Sequence, residues 1–600
     1  RQGAPGTSPA GPNTGGLPPV DLTQWSFWWE FNKDPYLALK SKIHQGGTTT
    51  GSDDFFLGHG EQIQSIDLMK PTENDIRTKV IPALLEILST ESNNDIITGA
   101  MMSLAKIGDR EDTNFGEKFI PFLLDSNQEI SETAALALGI LGSEEHLPLL
   151  EELAMDSPIG KASVGETEVP FRTRTFATYG IGLIARNSED RELITSISNT
   201  LRRILVSDES SYTDVKVASI VAMGLLDLDE ATRGEQVNFL LKYFRDEENN
   251  RMVRAHIPES LSFSVVGSAS LHYERYKEIL ANEFMDRLKG TSRERTEVQQ
   301  SCVLALGILG DTDDNDLDEE IRNTLYDIPN RVSDQQTRAF SLIALGHMGS
   351  NIGSGEDSFH AIREIQTALI RNITRGRGQM KSWSAISLGI MSSRLNDYGL
   401  PVLSEVSTVL REETRGERQP ERLGAYSIAT GLAGNPEAGE VLLEKLNNTN
   451  DAEAKGYLCL SLGLLNERAA IEPMREIVLE SKYRPELLQQ AAIGLGLMGD
   501  HTLVPELIVM LRESNSLASQ ASVVMALSFI GDKRSIDPLV EFVNDESNTD
   551  RARGFAAAAL GMVAERTSLP WNSDLSCDLN YRASTTTLND TEGTGVLNIL

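Results

Sequence analysis

A glycine that recurs inside short apolar tracts constrains the fold of this chain more than any other feature. Typical tracts are AALALGILG (134–142), SCVLALGILG (301–310) and FAAAALGM (555–562). The equivalent position recurs thirteen times at spacings of 32 to 45 residues, as Ala105, Gly139, Gly182, Gly224, Ser262, Gly307, Gly346, Gly389, Gly431, Gly463, Gly496, Ser528 and Gly561. Self-similarity at a period of about 20–50 residues is the signature of a repeat array. We therefore predict thirteen units in one elongated domain.

Each unit reads as a pair of helices. Segments such as LVPELIVMLRE (503–513) and IDPLVEFVND (536–545) carry the apolar stripe of an amphipathic helix, with proline near its start. The glycine tracts are apolar nearly all round, which suits helices enclosed between neighbours. We interpret the glycine as a packing device, because it costs about 1 kcal/mol of helix propensity relative to alanine. The predicted fold class is all-α, an α-solenoid of about thirteen helix pairs.

Two stretches depart from this regularity. Pro258 lies within the second helix of its unit and should kink it, because proline removes a helical hydrogen bond. The segment 157–169 is an insertion between helices. Loops added to a solenoid often carry contacts, so both are candidate sites.

The two ends differ in composition from the repeats. Residues 1–20 form a Gly/Pro-rich leader that we expect to be disordered, because such composition buries too little apolar surface to fold. We assign 21–75 to an aromatic N-terminal cap and loop, 76–566 to the solenoid, and 567–600 to a C-terminal extension of β or irregular structure. A start at Arg1 fits signal-peptide cleavage, and equally a trimmed sequence.

The segment 25–36 concentrates aromatic side chains. Terminal repeats expose an apolar face, so one interpretation is a cap over the first helix pair. The alternative is a patch for docking a partner or stacking on sugars, with candidate residues Trp25, Trp28, Trp29 and Phe31.

The charge of the chain limits its partners. Lys and Arg number 55 against 88 Asp and Glu, a formal net charge of −33. A chain this acidic repels polyphosphates, so we predict no nucleic-acid partner. No run approaches the roughly 18 apolar residues of a membrane helix, so we expect no membrane span. Of the three cysteines, Cys302 and Cys459 lie in repeat helices as apolar fillers, and Cys577 lies in the tail.

Seven units share a basic residue eight positions before the recurring position: Arg174, Lys216, Arg254, Arg338, Lys381, Lys455 and Arg553. Stacked repeats place these residues in a column. One interpretation is a structural ladder of charged hydrogen bonds, with acidic partners such as Asp334 and Asp451. The other is a binding strip for an acidic peptide or a sulfated glycan.

Basic loops strengthen the second interpretation in three units. The segments RTR (172–174), RGRGQMK (375–381) and RGERQPER (415–422) stand out in an acidic chain. A charged binding site would use Arg375, Arg377, Lys381, Arg415, Arg418 and Arg422; the alternative is ordinary solvated loops.

Catalytic and metal sites lack a local signature. The acidic run DTDDNDLDEE (311–320) offers oxygen ligands for calcium, but its spacing puts Asp316 where the EF-hand requires Gly and Arg322 where it requires Glu. The eight histidines form no H-E-x-x-H, and no G-x-S-x-G or P-loop occurs. We therefore expect no catalytic residues, no metal and no cofactor.

The pattern D-x-x-x-I-x-P-L in the first helix, followed by D-x-x-x-R-x-x-A and A-L-G in the second, resembles HEAT repeats of the phycobilisome bilin lyase type. The resemblance covers roughly 76–565 and is closest in 434–565. It implies a right-handed α-solenoid whose second helices line one concave surface. The end segments, including WSFWWEFNKDPYLALK (25–40), TTTGSDDFFLG (48–58) and 569–600, resemble exported bacterial HEAT-repeat proteins of undefined function, which supply no catalytic residues.

These observations favour a non-catalytic scaffold or adaptor that binds another protein of unknown identity. The alternatives are an envelope carbohydrate-binding module that uses the aromatic residues and arginine loops, or a bilin-lyase-like enzyme. The expected location is outside the cytoplasm (periplasmic, cell-surface or secreted), with a cytoplasmic location as the alternative. Oligomeric state stays open.

Overall fold

The structure, a computed structural model, is all-α in the parts of the chain that it describes. These are residues 21–39, 70–110, 112–207, 212–266, 272–290, 292–353, 357, 359–400, 402–514, 516–565, 579–589 and 595–596. The leader 1–20, the loop segment 48–58, His44, His59 and Cys577 lie outside the described residues. In the C-terminal extension the described residues form turns and one short 3-10 helix, Tyr581–Ala583.

Thirteen helix pairs follow one another, as the spacing predicts. The first helix of each pair lies on the outside; these outer helices are Ile81–Thr90, Phe115–Phe119 with the 3-10 turn Ile120–Leu124, Leu147–Ala154, Arg191–Val206, Glu230–Arg245, Tyr273–Leu288, Asp316–Arg331, His360–Arg375, Ser404–Gly416, Gly439–Asn448, Ile471–Glu480, Val504–Glu513 and Ile536–Asn544. The second, inner helices are Asn94–Ile107, Gln128–Leu141, Phe171–Asn187, Thr213–Gly224, Arg251–Ala255 with Ile257–Val265, Thr296–Leu309, Gln335–Met348, Met380–Asp397, Pro420–Leu432, Ala452–Leu464, Pro485–Leu497, Leu517–Ile530 and Asp550–Ala564. We number the repeats 1 to 13.

Shorter elements complete the described chain. The N-terminal helix Trp25–Asn32 is followed by one turn, Asp34–Leu37. Repeat 1 opens with Glu73–Asp75 and a π-helical turn, Ile76–Val80, and the insertion in repeat 3 contains a helix, Pro158–Val164. Single 3-10 turns precede the outer helices of repeats 3, 10, 11 and 13, at Glu144–His146, Pro436–Ala438, Arg468–Ala470 and Lys533–Ser535.

The recurring glycine lets consecutive inner helices touch backbone to backbone. A Cβ added to Gly307 would lie 2.5 Å from the Cα of Ala344, and one added to Gly463 would lie 2.7 Å from the Cα of Gly494. Each contacted residue stands two positions before the recurring position of the next repeat. Larger side chains would push the helices apart, so the glycine is a packing device, as predicted.

The same contact joins the last repeat to the first. A Cβ added to Gly561 of repeat 13 would lie 2.7 Å from the Cα of Ser103, which again stands two positions before a recurring position. The Ser103 hydroxyl donates to the Ala557 carbonyl at 2.8 Å. Inside the array, Ser260 donates to Ile220 at 2.8 Å in the same register. Helix Asp550–Ala564 packs along helix Asn94–Ile107, and the thirteen inner helices form a closed ring.

Ring closure corrects two expectations. The domain is not an open, elongated array, because repeats 13 and 1 bury each other's apolar faces across an interface that we call the seam. Lys79 pairs with Asp537 there at 2.7 Å, and Arg553 pairs with Glu91. The aromatic N-terminal segment is therefore not needed to cover the first helix pair, and it lies elsewhere. Among the described residues, no helix is both long and apolar enough to cross a bilayer.

Candidate binding site

The N-terminal helix lies inside the ring, in the space that we call the lumen. The side chains of Trp25, Trp28 and Trp29 are 0% exposed. The Trp25 ring packs on Tyr457 of repeat 10 with ring centroids 4.9 Å apart, and Trp28 meets Trp383 of repeat 8 edge-on at 6.4 Å. The helix thus fills the lumen against the middle repeats, far along the chain from repeat 1.

The C-terminal extension enters the lumen and meets the N-terminal helix. Tyr581 stacks on Phe31 with centroids 5.5 Å apart and lies 5.2 Å from Phe27. Its hydroxyl donates to the Leu22 carbonyl at 3.0 Å and accepts from the Gln336 amide at 2.9 Å. Burial raises the pKa of Tyr581, so the phenol stays neutral and able to donate. We call residues 21–39 and 579–589 together the lumenal plug.

The kinked repeat holds the C-terminal part of the plug. Pro258 divides the inner helix of repeat 5 at His256, as predicted. The imidazole Nε2 of His256 donates to the Ala583 carbonyl at 2.8 Å, since a carbonyl can only accept. Burial lowers the pKa of His256 to about 4, which keeps the ring neutral at physiological pH.

These contacts show that the prediction of an exposed aromatic patch is wrong. Trp25, Trp28 and Trp29 have no surface left for a sugar or a partner, and the half-buried Phe31 is stacked on Tyr581. Sequence reasoning missed Trp383 and Tyr581. One signal pointed to this wall, because several repeats place an aromatic side chain six positions before the recurring residue; these are Phe176, Phe340, Trp383, Tyr457 and Phe555.

Four members of the basic column donate to carbonyls at the ends of their own outer helices. Arg174, Arg254 and Arg553 donate through Nε to Ala154, Phe244 and Val543, at distances of 3.1, 2.8 and 2.6 Å. Lys381 reaches the Thr374 carbonyl at 3.4 Å. Cations at a helix C-terminus satisfy unpaired carbonyls and complement the helix dipole.

The acidic neighbours of the column serve a local structural purpose. Asp334 and Asp451 cap inner helices by accepting from the backbone N–H of Thr337 and Ala454. Two members of the column also make contacts between repeats: Arg254 pairs with Glu294 at 2.7 Å, and Arg553 pairs with Glu91 across the seam. The column thus connects the outer helix to the inner helix within a repeat, and in places one repeat to the next.

The predicted basic loops meet on one edge of the ring. This upper rim is formed by the loops that lead from each outer helix to its inner helix. Arg415 and Arg422 are paired with Glu412 and Glu417, at 2.6 and 2.7 Å. All six candidates lie on the rim of repeats 8 and 9, which we call the basic arc: Arg375, Arg377, Lys381, Arg415, Arg418 and Arg422.

Three arginines of the basic arc are exposed and available. Within the described residues, no carboxylate lies at ion-pair distance from Arg375, Arg377 or Arg418. The rim has the opposite character at repeat 13, where Asp545, Glu546 and other acidic side chains are exposed. The charge of the upper rim therefore changes around the ring, with exposed arginines on repeats 8 and 9 and exposed carboxylates on repeat 13.

The acidic run after repeat 6 is paired with a buried lysine from the outer helix of that repeat. Asp311, Asp313 and Asp318 are buried and bring carboxylate oxygens within 4.8 Å of one another. The Lys277 ammonium donates to Asp311 at 2.5 Å and to Asp318 at 2.8 Å. Burial raises the pKa of Asp311 to about 6. This cluster is a buried ion network built around a lysine.

The remaining candidates are structural in the described chain. Burial raises the pKa of the Cys459 thiol to about 12 and that of the Cys302 thiol as well, so both are poor nucleophiles. The insertion in repeat 3 closes on its own repeat, where the Val169 N–H donates to Asp156 at 2.7 Å.

Comparison with known proteins supports the repeat assignment. A family model described as HEAT repeats matches residues 81–163 and 478–561. These segments stand at opposite ends of the sequence, yet they are contiguous across the seam of the ring. The chain is also similar to the bilin biosynthesis protein PecE of Mastigocladus laminosus, with 31% identity over 101 residues. That match spans 16% of this chain and 38% of the relative.

Two solved structures match most of this chain at low sequence identity. Importin beta is 11% identical, with 81% of this chain and 76% of that chain covered, at a TM-score of 0.35. The karyopherin Kap121p, bound to the extreme C-terminus of the protein phosphatase Cdc14p, is 14% identical over 84% of this chain and 55% of that chain, at a TM-score of 0.36.

Proposed function

We propose that this HEAT-repeat protein is a non-catalytic scaffold that binds an acidic segment of a partner protein along its basic arc. The observation that carries the proposal is the exposure of Arg375, Arg377 and Arg418 in a chain of net charge −33, with no carboxylate partner among the residues that the structure describes. Arginine binds carboxylates through two parallel hydrogen bonds, so unpaired exposed arginines suit an acidic peptide.

The size of the basic arc favours a short segment over nucleic acid. Neighbouring helices pack about 8–10 Å apart, so two repeats span about 20 Å, the length of about six extended residues. A longer polyanion would extend over the acidic parts of the rim, such as Asp545 and Glu546, and be repelled. Binding should therefore weaken with salt, because exposed charges are screened.

A fluorescein-labelled glutamate-rich hexapeptide tests this proposal by fluorescence anisotropy. We expect the triple variant Arg375→Glu, Arg377→Glu, Arg418→Glu to bind about tenfold or more weakly than the unmodified chain. The matched control reverses three exposed basic residues elsewhere: Lys118→Glu, Lys242→Glu and Arg512→Glu. A glutamine-rich hexapeptide is the uncharged control ligand. Equal losses of affinity in both triple variants, or equal binding of the two peptides, would contradict a localised site.

Export is part of the same proposal and rests on the resemblance of the end segments to exported bacterial proteins. Fractionation of native cells, followed by immunodetection, tests it. Recovery with the cytoplasmic marker would count against it.

A bilin-lyase-like activity is a second candidate, favoured by the similarity to PecE over 101 residues. Incubation with a free bilin and an acceptor protein, followed by denaturing electrophoresis and bilin fluorescence, tests it. Covalent transfer above the uncatalysed rate would overturn the non-catalytic proposal.

A further inference from the structure

A cleft of about 590 Å³ opens on the upper rim between the N-terminal helix and the inner helices of repeats 10 and 11. It is separate from the basic arc, which lies on repeats 8 and 9. The rings of Phe27, Tyr457 and Tyr483 line it together with the side-chain amides of Gln489 and Gln490. A volume of this size lies in the range of small-molecule sites, so it can hold one long side chain together with part of the peptide that carries it.

The aromatic wall of the cleft is rigid inside and open at the mouth. Tyr457 is held against Trp25, and a Cβ on Gly424 would lie 2.6 Å from its ring. Tyr483 is 79% exposed, more than any other large hydrophobic side chain of the described chain. A ligand that covers an exposed aromatic ring removes apolar surface from water, which favours binding, and the face of the ring attracts cations.

Three carboxylates and two cations line the cleft, so acidic groups are in the majority: Glu30, Glu453 and Glu486, with Lys33 and Arg484. Glu30 belongs to the N-terminal helix and Glu453 to the first turn of the inner helix of repeat 10. Lys33 pairs with Glu30, whereas the structure gives Glu453 no cationic partner among the described residues. Burial, together with Asp451 and Glu30, raises the pKa of Glu453. A cation bound beside Glu453 would act against these effects and favour the ionised form of its carboxyl group.

We propose that this cleft binds the cationic side chain of an arginine in a partner peptide. The guanidinium would donate to the Glu453 carboxylate and to the amide oxygens of Gln489 and Gln490, and its face would stack on Tyr483. Arginine fits better than lysine, because its planar group combines several donors with a stacking face. This ligand is opposite in charge to the acidic segment of the basic arc, so the two proposals fail independently.

Isothermal titration of the full chain with a glycine-flanked arginine peptide tests the proposal. The same peptide with citrulline, a neutral isostere of arginine, should not bind. We expect Glu453→Gln to weaken arginine binding about tenfold, as for a charged hydrogen bond, and Tyr483→Ala to weaken it less. Glu440→Gln, exposed on the outer helix of the same repeat, is the matched control and should bind normally.

A second measurement separates binding from folding. Because Asp451 and Glu30 repel the Glu453 carboxylate and no cation pairs with it among the described residues, we expect Glu453→Gln to melt at the same temperature as the unmodified chain or higher. Absence of arginine binding by the unmodified chain, or equal losses in Glu453→Gln and Glu440→Gln, would overturn the proposal. Binding of spermidine without binding of the peptide would assign the cleft to free polyamines and overturn the peptide assignment.

Discussion

The seam and the lumenal plug both bring distant parts of the chain together, but by different means. The seam repeats the glycine and serine contact found inside the array, with Gly561 against Ser103 as Gly346 is against Ser387. The plug uses large aromatic side chains, such as Trp28 and Tyr581, that match no repeat. Closure is thus a property of the repeat itself, whereas filling of the lumen is a property of the ends.

The largest expected effect is loss of an aromatic anchor of the plug. Trp28→Ala should lower the free energy of unfolding by about 3–5 kcal/mol, because it leaves a large cavity beside Trp383. Urea unfolding monitored by circular dichroism measures this loss. Phe359→Ala, at a site already 46% exposed, is the control and should change stability by less than about 1 kcal/mol. Equal losses of stability in Trp28→Ala and Phe359→Ala would mean that the plug packs loosely.

The plug should also make stability depend on pH through His256. The folded pKa of about 4 lies below the ordinary 6.5, so the unfolded chain takes up a proton first as the pH falls. The stabilisation from neutral His256 is fully present above pH 6.5. The free energy of unfolding then falls by about 3 kcal/mol as the pH is lowered to about 4. His256→Gln keeps a donor for the Ala583 carbonyl but does not titrate. Relative to His256→Gln, the unfolding free energy of the unmodified chain should fall by about 3 kcal/mol between pH 7 and 4; a constant difference would contradict this assignment.

At the seam, Gly561→Leu should lower the free energy of unfolding by about 1–3 kcal/mol, because the larger side chain overpacks the interface. The same change should also open the ring. No peptide bond crosses this interface, so the radius of gyration in small-angle X-ray scattering should increase. Gly346→Leu places the same side chain against Ser387 inside the array and serves as the matched variant. It should lose similar stability without expansion, because the chain still connects repeats 7 and 8. Expansion of both variants would show that the seam is no weaker than other interfaces.

The smallest expected effect concerns the ion pair of Lys79 with Asp537 across the seam. Both side chains are largely exposed, at 43% and 65%, so water and salt screen their attraction. Lys79→Gln should leave the urea midpoint and the radius of gyration unchanged. A marked expansion would show that charge, and not the contact of Gly561, holds the seam.

The sequence predicts the repeats well because each feature is local. The period of the apolar tracts, the contact of Gly307 with Ala344 and the break near Pro258 all follow from side chains within one or two units. Ring closure could not be predicted from these local features. A ring of thirteen units needs a rotation of about 28° per repeat, and that angle is set by small details of packing. Likewise, the composition around Trp28 indicates burial but not which repeat covers it.

Of the two candidate sites, the basic arc could be predicted from the sequence and the cleft could not. The arginines of the basic arc were found because charge in an acidic chain is visible in the sequence, and their exposure follows from their place in loops. The cleft near Glu453 could not be found, because Glu30 and Glu453 come from elements more than 400 residues apart in the chain. Only the position of the plug in the lumen brings them together.

A closed ring changes how the protein opens in solution. In a linear array the terminal repeats have one neighbour each, so they fray first and hydrogen exchange is fastest at the ends. Here repeats 1 and 13 have two neighbours like every other repeat. Amide exchange should therefore show no gradient from the chain ends to its middle, and the first repeat to open should be the one with the weakest interfaces, whatever its place in the sequence.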